Sequence, residues 1–409
     1  MTISFTDVIP LTSPTDPYAS IVGKVFRIEE VTWGDDKQNF LVRYRGNLLM
    51  DSAAAYELLA ASLRPLDITP LFREESASES IMLVKGVVRP RPSNPWINLT
   101  LFLLTVLSVL FAGTITHYSG PLTTDLSLLS PHLLTALADG LMFTVSLLAI
   151  LLAHEFGHYL AGRYHRSAVT LPYFIPFPFS PFGTMGAFIQ LKEPPKNKRI
   201  LLDIGIAGPL AGLFVAIPVL MLGLALSRVD ELPGILRQGE SFSLEGNSVL
   251  YLFLKFIIFG QWLPEPQNFE GLSPLIYWFR YFFTGRPVPL GGVDVLLHPI
   301  AWAGWAGLLI TALNLIPAGQ LDGGHVLFVL IGQKARAVVP FILVFLLVLG
   351  TVWSGWWLWA FLIFFLGRVF AEPLDQITPL DRRRKAIAIL GLIVFILVFT
   401  PVPLSMFSS

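Results

Sequence analysis

Hydrophobic residues in this chain run in long blocks rather than alternating or recurring every third or fourth place. No Asp, Glu, Lys or Arg interrupts 96–124, 204–227, 299–321, 337–367 or 386–409. Uncharged apolar runs of roughly 18 or more residues read as membrane-spanning helices. The pattern predicts spans over about 97–116, 135–162 and 201–226, and a fourth beginning near 299. The run 337–367 is too long for one crossing. As a single helix it would reach about 46 Å, against a hydrocarbon core of roughly 30 Å. Arg336 and Arg368 flank it and both belong on the basic side, so a hairpin turning at Gly350 to Gly355 is expected. Arg382-Arg383-Arg384-Lys385 then leads a last span ending near Pro403. The fold class expected is an α-helical polytopic membrane protein of about seven spans, carrying a small soluble α+β N-terminal domain.

That domain is expected over residues 1–95, with the membrane-embedded part over 96–409. Residues 1–20, rich in Ser, Thr, Pro and Asp, read as a loose leader. Val22 to Val31 and Phe40 to Tyr44 read as strands around the turn Gly34-Asp35-Asp36. A helix follows over about Ser52 to Leu63, then strands near Asp67–Arg73 and Ile81–Val88. Arg89-Pro-Arg-Pro-Ser-Asn-Pro95 is a stiff linker. Farther on, 248–263 and 274–284 are apolar but broken by Lys255 and Arg280. They read as interfacial helices in the loop 228–298 rather than as spans.

Composition sharpens this picture. Of 409 residues, 54% are hydrophobic and 14% charged, where a soluble chain would carry about a quarter charged. Net charge is zero, so no bulk attraction to nucleic acid exists. Cysteine is absent, which removes disulfides, thiolate metal sites and thiol nucleophiles together. Arg89, Arg91, Arg163, Arg166, Lys192, Lys196, Lys198, Arg199, Lys334 and Arg336 fall at alternate span ends. They place the N-terminus in the cytoplasm, and an odd span count then places the C-terminus outside. The start of the chain shows neither a signal peptide nor an Arg-rich, Ser-rich transit peptide, which favours a bacterial plasma membrane.

The chemistry concentrates at His154-Glu155-Phe156-Gly157-His158, at the end of an apolar run and before Arg163. Residues four apart share a helix face, so the two imidazoles can bind one metal ion, and Glu155 lies beside them where it can deprotonate a water. Three ionisable groups at membrane depth cost several kcal/mol unless function demands them. A catalytic zinc needs a third protein ligand. Asp322, in Asn314-Leu-Ile-Pro-Ala-Gly-Gln-Leu-Asp-Gly-Gly-His325, is the leading candidate; its bland alternative is an N-cap for the next helix. His325 is the rival ligand or a supporting histidine. Asn314 either stabilises a developing oxyanion or packs between helices. The Pro- and Gly-rich segment 171–191 reads as a re-entrant hairpin. An edge around Gly183, Gly186 and Phe188 could pair with an extended peptide.

HEFGH paired with NLIPAGQLDGGH resembles the site-2 protease family of intramembrane zinc proteases, over a core of about 135–335. Leu171-Pro-Tyr-Phe-Ile-Pro176, Gly183-Thr-Met-Gly-Ala-Phe-Ile189 and Asp203-Ile-Gly-Ile-Ala-Gly-Pro209 resemble its plastid and cyanobacterial subgroup. That subgroup includes the ethylene-dependent gravitropism-deficient and yellow-green proteases. The resemblance implies one zinc ion held by His154, His158 and Asp322, Glu155 as general base, Asn314 assisting the carbonyl, and His325 in support. It implies single-span or membrane-anchored protein substrates within a lipid bilayer. No recognisable PDZ insertion is present, and nothing in the sequence sets an oligomeric state. Two rival readings are a metal-binding membrane protein without protease activity, such as a transporter or degenerate homologue, and a structural scaffold. An intact Glu155 argues against the first, because ligands alone suffice for transport.

Overall fold

The computed structural model describes residues 16–34, 39–75, 78–121, 125–234, 241–367 and 369–408. Most of the expected leader, the turn at Asp35 and Asp36, and Arg368 fall outside them. The chain divides into two compact units. The first comprises 1–91, 191–201 and 371–382; the second comprises 92–190, 202–370 and 383–409.

In the first unit a short helix α1 (Ala19–Val22) precedes strands β1 (Phe26–Trp33) and β2 (Val42–Leu48). Helix α2 (Ser52–Leu63) and strands β3 (Ile68–Glu75) and β4 (Ser78–Lys85) complete it. Val22, expected to open a strand, instead closes α1. The sheet is antiparallel in the order β1-β2-β4-β3. Alternating Val42, Tyr44, Ile68, Phe72, Ile81 and Leu83 turn one face inward against Ala55, Leu59 and Leu63 of α2. This is the period-two pattern meeting the helical one. Asp51 caps α2, its carboxylate accepting from the amides of Ala53 and Ala54 at 3.1 and 3.3 Å.

The later segments are stitched on through one buried carboxylate. Asp375 is fully buried and accepts from Ser52 Oγ (3.0 Å), Ile377 N (2.8 Å), Thr378 N (3.1 Å) and Thr378 Oγ1. Its neighbours Leu374 and Gln376 bond the backbone of Phe72, and its own amide donates to Lys196.

The second unit is helical. Helix α3 (Pro95–Thr116) is followed by α4 (Leu126–Tyr164), the hairpin β5 (Tyr173–Pro176) and β6 (Thr184–Phe188), and α5 (Lys198–Leu226). Strands β7 (Arg228–Glu231) and β8 (Ser241–Glu245), helices α6 (Val249–Phe259) and α7 (Pro274–Thr284), and β9 (Val293–Leu296) form the segment before α8 (Pro299–Asn314). Then come α9 (Asp322–Ile331), α10 (Ala335–Gly350), α11 (Gly355–Leu366), α12 (Arg382–Val398) and β10 (Leu404–Ser408), which pairs with β8. Helices α3 and α4 meet where Gly113 faces Gly140; a β-carbon on Gly140 would lie 2.7 Å from the amide nitrogen of Thr114. Such small-residue crossings suit helices that cannot rely on the hydrophobic effect for association.

Among the described residues four helical stretches are long and apolar enough to cross a bilayer, not the seven expected: Pro95–Thr116, Leu129–Tyr164, Lys198–Leu226 and Asp322–Gly350. The extra spans came from reading every uncharged run as lipid-facing. Helix α8 has 16 residues and buries Ala301, Ala303, Trp305, Leu308 and Ala312 among others, so protein rather than lipid accounts for its apolar sequence. Helix α11 has 12 residues, about 18 Å of rise. The turn between α10 and α11 does fall after Gly350 and before Gly355. The odd count that set the C-terminus outside goes with the missing spans.

Replacing Asp375 with Ala strips four donors of their acceptor. It should cost the first unit on the order of 3 kcal/mol. Hydrogen exchange in β3 and α2 of the full chain should report the loss, while exchange in α4 stays unchanged.

Candidate metal centre

Helix α4 carries His154 and His158 on one face, and both are buried, 3% and 6% exposed. Their Nε2 atoms lie 3.2 Å apart, with the rings nearly perpendicular at 72°. Asp322 Oδ2 stands 3.4 Å from His154 Nε2 and 3.3 Å from His158 Nε2. These three residues form the one metal-competent cluster of His, Cys, Asp and Glu among the described residues. Ligand atoms at about 2.0–2.1 Å from a tetrahedral zinc stand about 3.3–3.4 Å from one another, so the triangle has the edge length of a zinc site.

The protonation pattern agrees. His158 Nδ1 lies 2.7 Å from the carbonyl of Ile204 on α5, which as an acceptor requires Nδ1–H. That leaves a lone pair on His158 Nε2, facing His154 Nε2 and a carboxylate oxygen. With both rings neutral such an arrangement is repulsive, and a proton or a metal ion among the three atoms relieves it. The residues present therefore fit zinc.

Asp322 reaches the cluster because the chain between α8 and α9 turns back sharply. Leu315 follows the end of α8, Pro317 has no amide to continue it, and Gly319 takes φ +54°. A β-carbon on Gly323 would sit 1.9 Å from the Leu315 carbonyl oxygen, so only glycine permits this approach. Leu321, not Asp322, occupies the N-cap position of α9, and no side chain caps that terminus. The simple capping alternative for Asp322 is thus absent.

Glu155 is 3% exposed, and its Oε2 has no hydrogen-bond partner among the described residues. Asn314, the last residue of α8, sets its amide nitrogen 3.4 Å from His154 Nε2. His325 stays outside the ligating cluster: it packs against α5, where a β-carbon on Gly205 would lie 3.0 Å from its Cβ. Gly183, Gly186 and Phe188 sit on the β5–β6 hairpin. Gly183 (φ +72°) lies against α3 and its carbonyl accepts from Ser108 Oγ at 2.6 Å. Gly186 (φ +97°) faces open space, and Phe188 is half-exposed, stacked on Tyr173.

Two roles were not assigned from the sequence. One is Gly208 on α5, where a β-carbon would lie 2.1 Å from His158 Nε2. The other is the clamp around Asp203. Arg384 of α12 donates to both its oxygens at 2.8 and 2.6 Å, and His165, just past α4, lies 2.8 Å from Oδ2. Asp203 immediately precedes Ile204, whose carbonyl orients His158. Both Asp203 and Gly208 lie in the segment 203–209 that carries the family resemblance, but that segment does not say what either residue faces.

Among the described residues, four candidate membrane-crossing helices and a buried His–His–Asp triangle mark a helical membrane protein with a candidate metal site. The chain belongs to peptidase family M50, whose model matches residues 142–350. It is 30% identical over 343 residues to "Probable zinc metalloprotease EGY1, chloroplastic" of Oryza sativa subsp. japonica, covering 79% of this chain and 53% of that protein. The Arabidopsis thaliana protein of the same name is 30% identical over 342 residues, covering 78% of this chain and 56% of its own. "Probable zinc metalloprotease EGY2, chloroplastic" of Oryza sativa subsp. indica is 28% identical over 376 residues, covering 88% and 62%. The chain thus spans between half and two-thirds of the length of these relatives. No solved structure matches it.

Substituting Gly208 with Ala drives a methyl into the His158 ring and should weaken zinc affinity roughly ten- to a hundredfold. Gly212→Ala, whose β-carbon would stand 3.1 Å from His154 Cβ, should cost less. Competition with a chromogenic chelator measures both.

Proposed function

We propose that the chain is a zinc-dependent intramembrane endopeptidase. It hydrolyses peptide bonds within the transmembrane segments of single-span or otherwise membrane-anchored proteins. The observation that carries this reading is Glu155, a buried carboxylate with an unpartnered oxygen one residue from a metal ligand. A transporter or storage site needs ligands but has no use for a base held ready there.

His154, His158 and Asp322 would hold the ion. A zinc ion held there supplies Lewis acidity to the attacking water and to the scissile carbonyl. Glu155 takes the proton from that water as its oxygen bonds to the carbonyl carbon, and delivers a proton to the amine as the C–N bond breaks. Asn314 directs amide hydrogens toward the centre, where charge develops on the carbonyl oxygen. His325 supports α9 against α5 without touching the ion.

A substrate helix must unwind before its carbonyls can be attacked. The outer edge of β6, with Gly186 open to space and Phe188 and Met185 exposed, offers backbone groups to an extended segment. Gly183, pinned to α3 through Ser108, holds the hairpin in place while that edge is used.

The basic clusters at 89–91, 163–166 and 192–199 support reading one face of the membrane as cytoplasmic. Residues 1–95 lie there as a soluble domain, 96–409 form the membrane-embedded protease, and 228–298 lie on the opposite face. The chain has no cysteine, so single-cysteine variants label cleanly. Arg91→Cys should react with an impermeant maleimide only from the cytoplasmic side, and Asn268→Cys only from the other. Labelling of both from one side refutes this topology.

Glu155→Gln keeps the ligands and removes the base. Cleavage of a co-expressed single-span reporter should fall by at least about a hundredfold with zinc content unchanged. Retained cleavage would sink the assignment.

A further inference from the structure

The stretch of α5 that faces the metal centre is packed closely on two sides. A β-carbon on Gly157 of α4 would lie 2.5 Å from the Ala207 carbonyl oxygen, and one on Gly391 of α12 would lie 2.6 Å from Ile206 Cδ1. Contacts made through glycines set how near two helices come. With no side chain to interlock, they do little to stop one helix sliding or turning along the other. Yet the bond that orients the His158 ring, from Nδ1 to the Ile204 carbonyl at 2.7 Å, depends on where along α4 that carbonyl stands. A helix rises about 1.5 Å per residue, so a slip of one residue would break it.

Asp203, one residue before Ile204, carries the directional bonds that the glycines lack. Arg384 Nε donates to its Oδ1 at 2.8 Å and Arg384 Nη2 to its Oδ2 at 2.6 Å, a bidentate fork. His165 Nε2 lies 2.8 Å from the same Oδ2, and a carboxylate oxygen there requires Nε2–H. His165 follows His158 by two helical turns and continues α4, its amide donating to the Ala161 carbonyl at 3.1 Å. Adjacent residues of α5 are thus bonded to the α4 segment at two heights and to α12 at a third point.

The Arg384 and Asp203 side chains are 30% and 23% exposed, and ion pairs that reach solvent add little stability. What a planar fork on a carboxylate supplies is direction, because both of its bonds are made in one relative placement of α12 and α5. Arg384 also lies outside residues 142–350, the stretch that the family model matches.

We propose that Arg384 of α12 is a positioning residue for the metal centre. Through its fork on Asp203 it holds α5 at the height where the Ile204 carbonyl meets His158 Nδ1, and so keeps the Nε2 lone pair turned toward the ion. This role presupposes that His154, His158 and Asp322 hold zinc.

The test measures zinc affinity of the full chain in nanodiscs by competition with a chromogenic chelator. Arg384→Ala and Asp203→Asn should each weaken zinc roughly three- to tenfold, at or below the loss typical of groups that hold a ligand directly. The double variant should lose no more than the larger single, because both act through one contact. In cobalt-loaded Arg384→Ala the visible ligand-field bands should shift. Millimolar methylguanidinium should restore them, and methylammonium, of equal charge, should not. A folding defect alone would lower the yield of loaded protein without moving the bands of the loaded fraction. Asp203→Asn is nearly isosteric and keeps the measurement decisive where Arg384→Ala folds poorly. Wild-type zinc affinity and unshifted bands in both single variants overturn the proposal, as do losses that add in the double variant. A wild-type chain that binds no zinc fails earlier and differently, since it removes the metal site itself, and this role with it, before any variant is made.

Discussion

Three electron-rich atoms, two imidazole nitrogens and a carboxylate oxygen, sit 3.2–3.4 Å apart with their lone pairs turned on one another. With both rings neutral these atoms repel unless a proton or a metal ion lies between them, so packing from outside helps to hold the geometry. Helix α4 fixes the two histidines, α5 supplies the Ile204 carbonyl and the missing side chain at Gly208, and the glycine-dependent turn after α8 brings Asp322 back. Desolvation then strengthens every charge in the centre, since little water remains to compete. The same burial makes each of these residues expensive to keep unless a metal ion compensates them.

This explains which parts of the centre were legible. Two histidines four apart declare a shared helix face, and an Asp after an uncharged run declares a need for a partner. Both are local arguments, and the structure brings these residues together. The positions of Gly208, Asp203 and Arg384 depend on how three helices approach one another, and no spacing within one segment encodes that. A lone glycine in an apolar helix reads as a packing residue, whatever it faces. His325 shows the complementary difficulty. Three residues from Asp322, it shares a face by periodicity, yet its ring packs against α5.

The fold was legible by the same rule. In the first unit, α2 and the later strands follow from the spacing of their apolar positions. Val22 read as strand because a β-branched residue carries no mark of the helical turn before it. In the second unit, apolarity identified helices but not their surroundings. Helix α8 buried in protein and a helix bathed in lipid demand the same composition, and this is why the span count came out too high.

The stitching at Asp375 sets an order of events. A ribosome releases β1 to β4 before the helices of the second unit, and domains ordinarily close as soon as their own sequence is out. Here the first unit still lacks residues 191–201 and 371–382 at that moment. Its completion waits until residues 371–382 have been made. Ser52 and Phe72 thus acquire their final partners only after every long apolar helix has left the tunnel. Strands made before the helices of the second unit are finished after them.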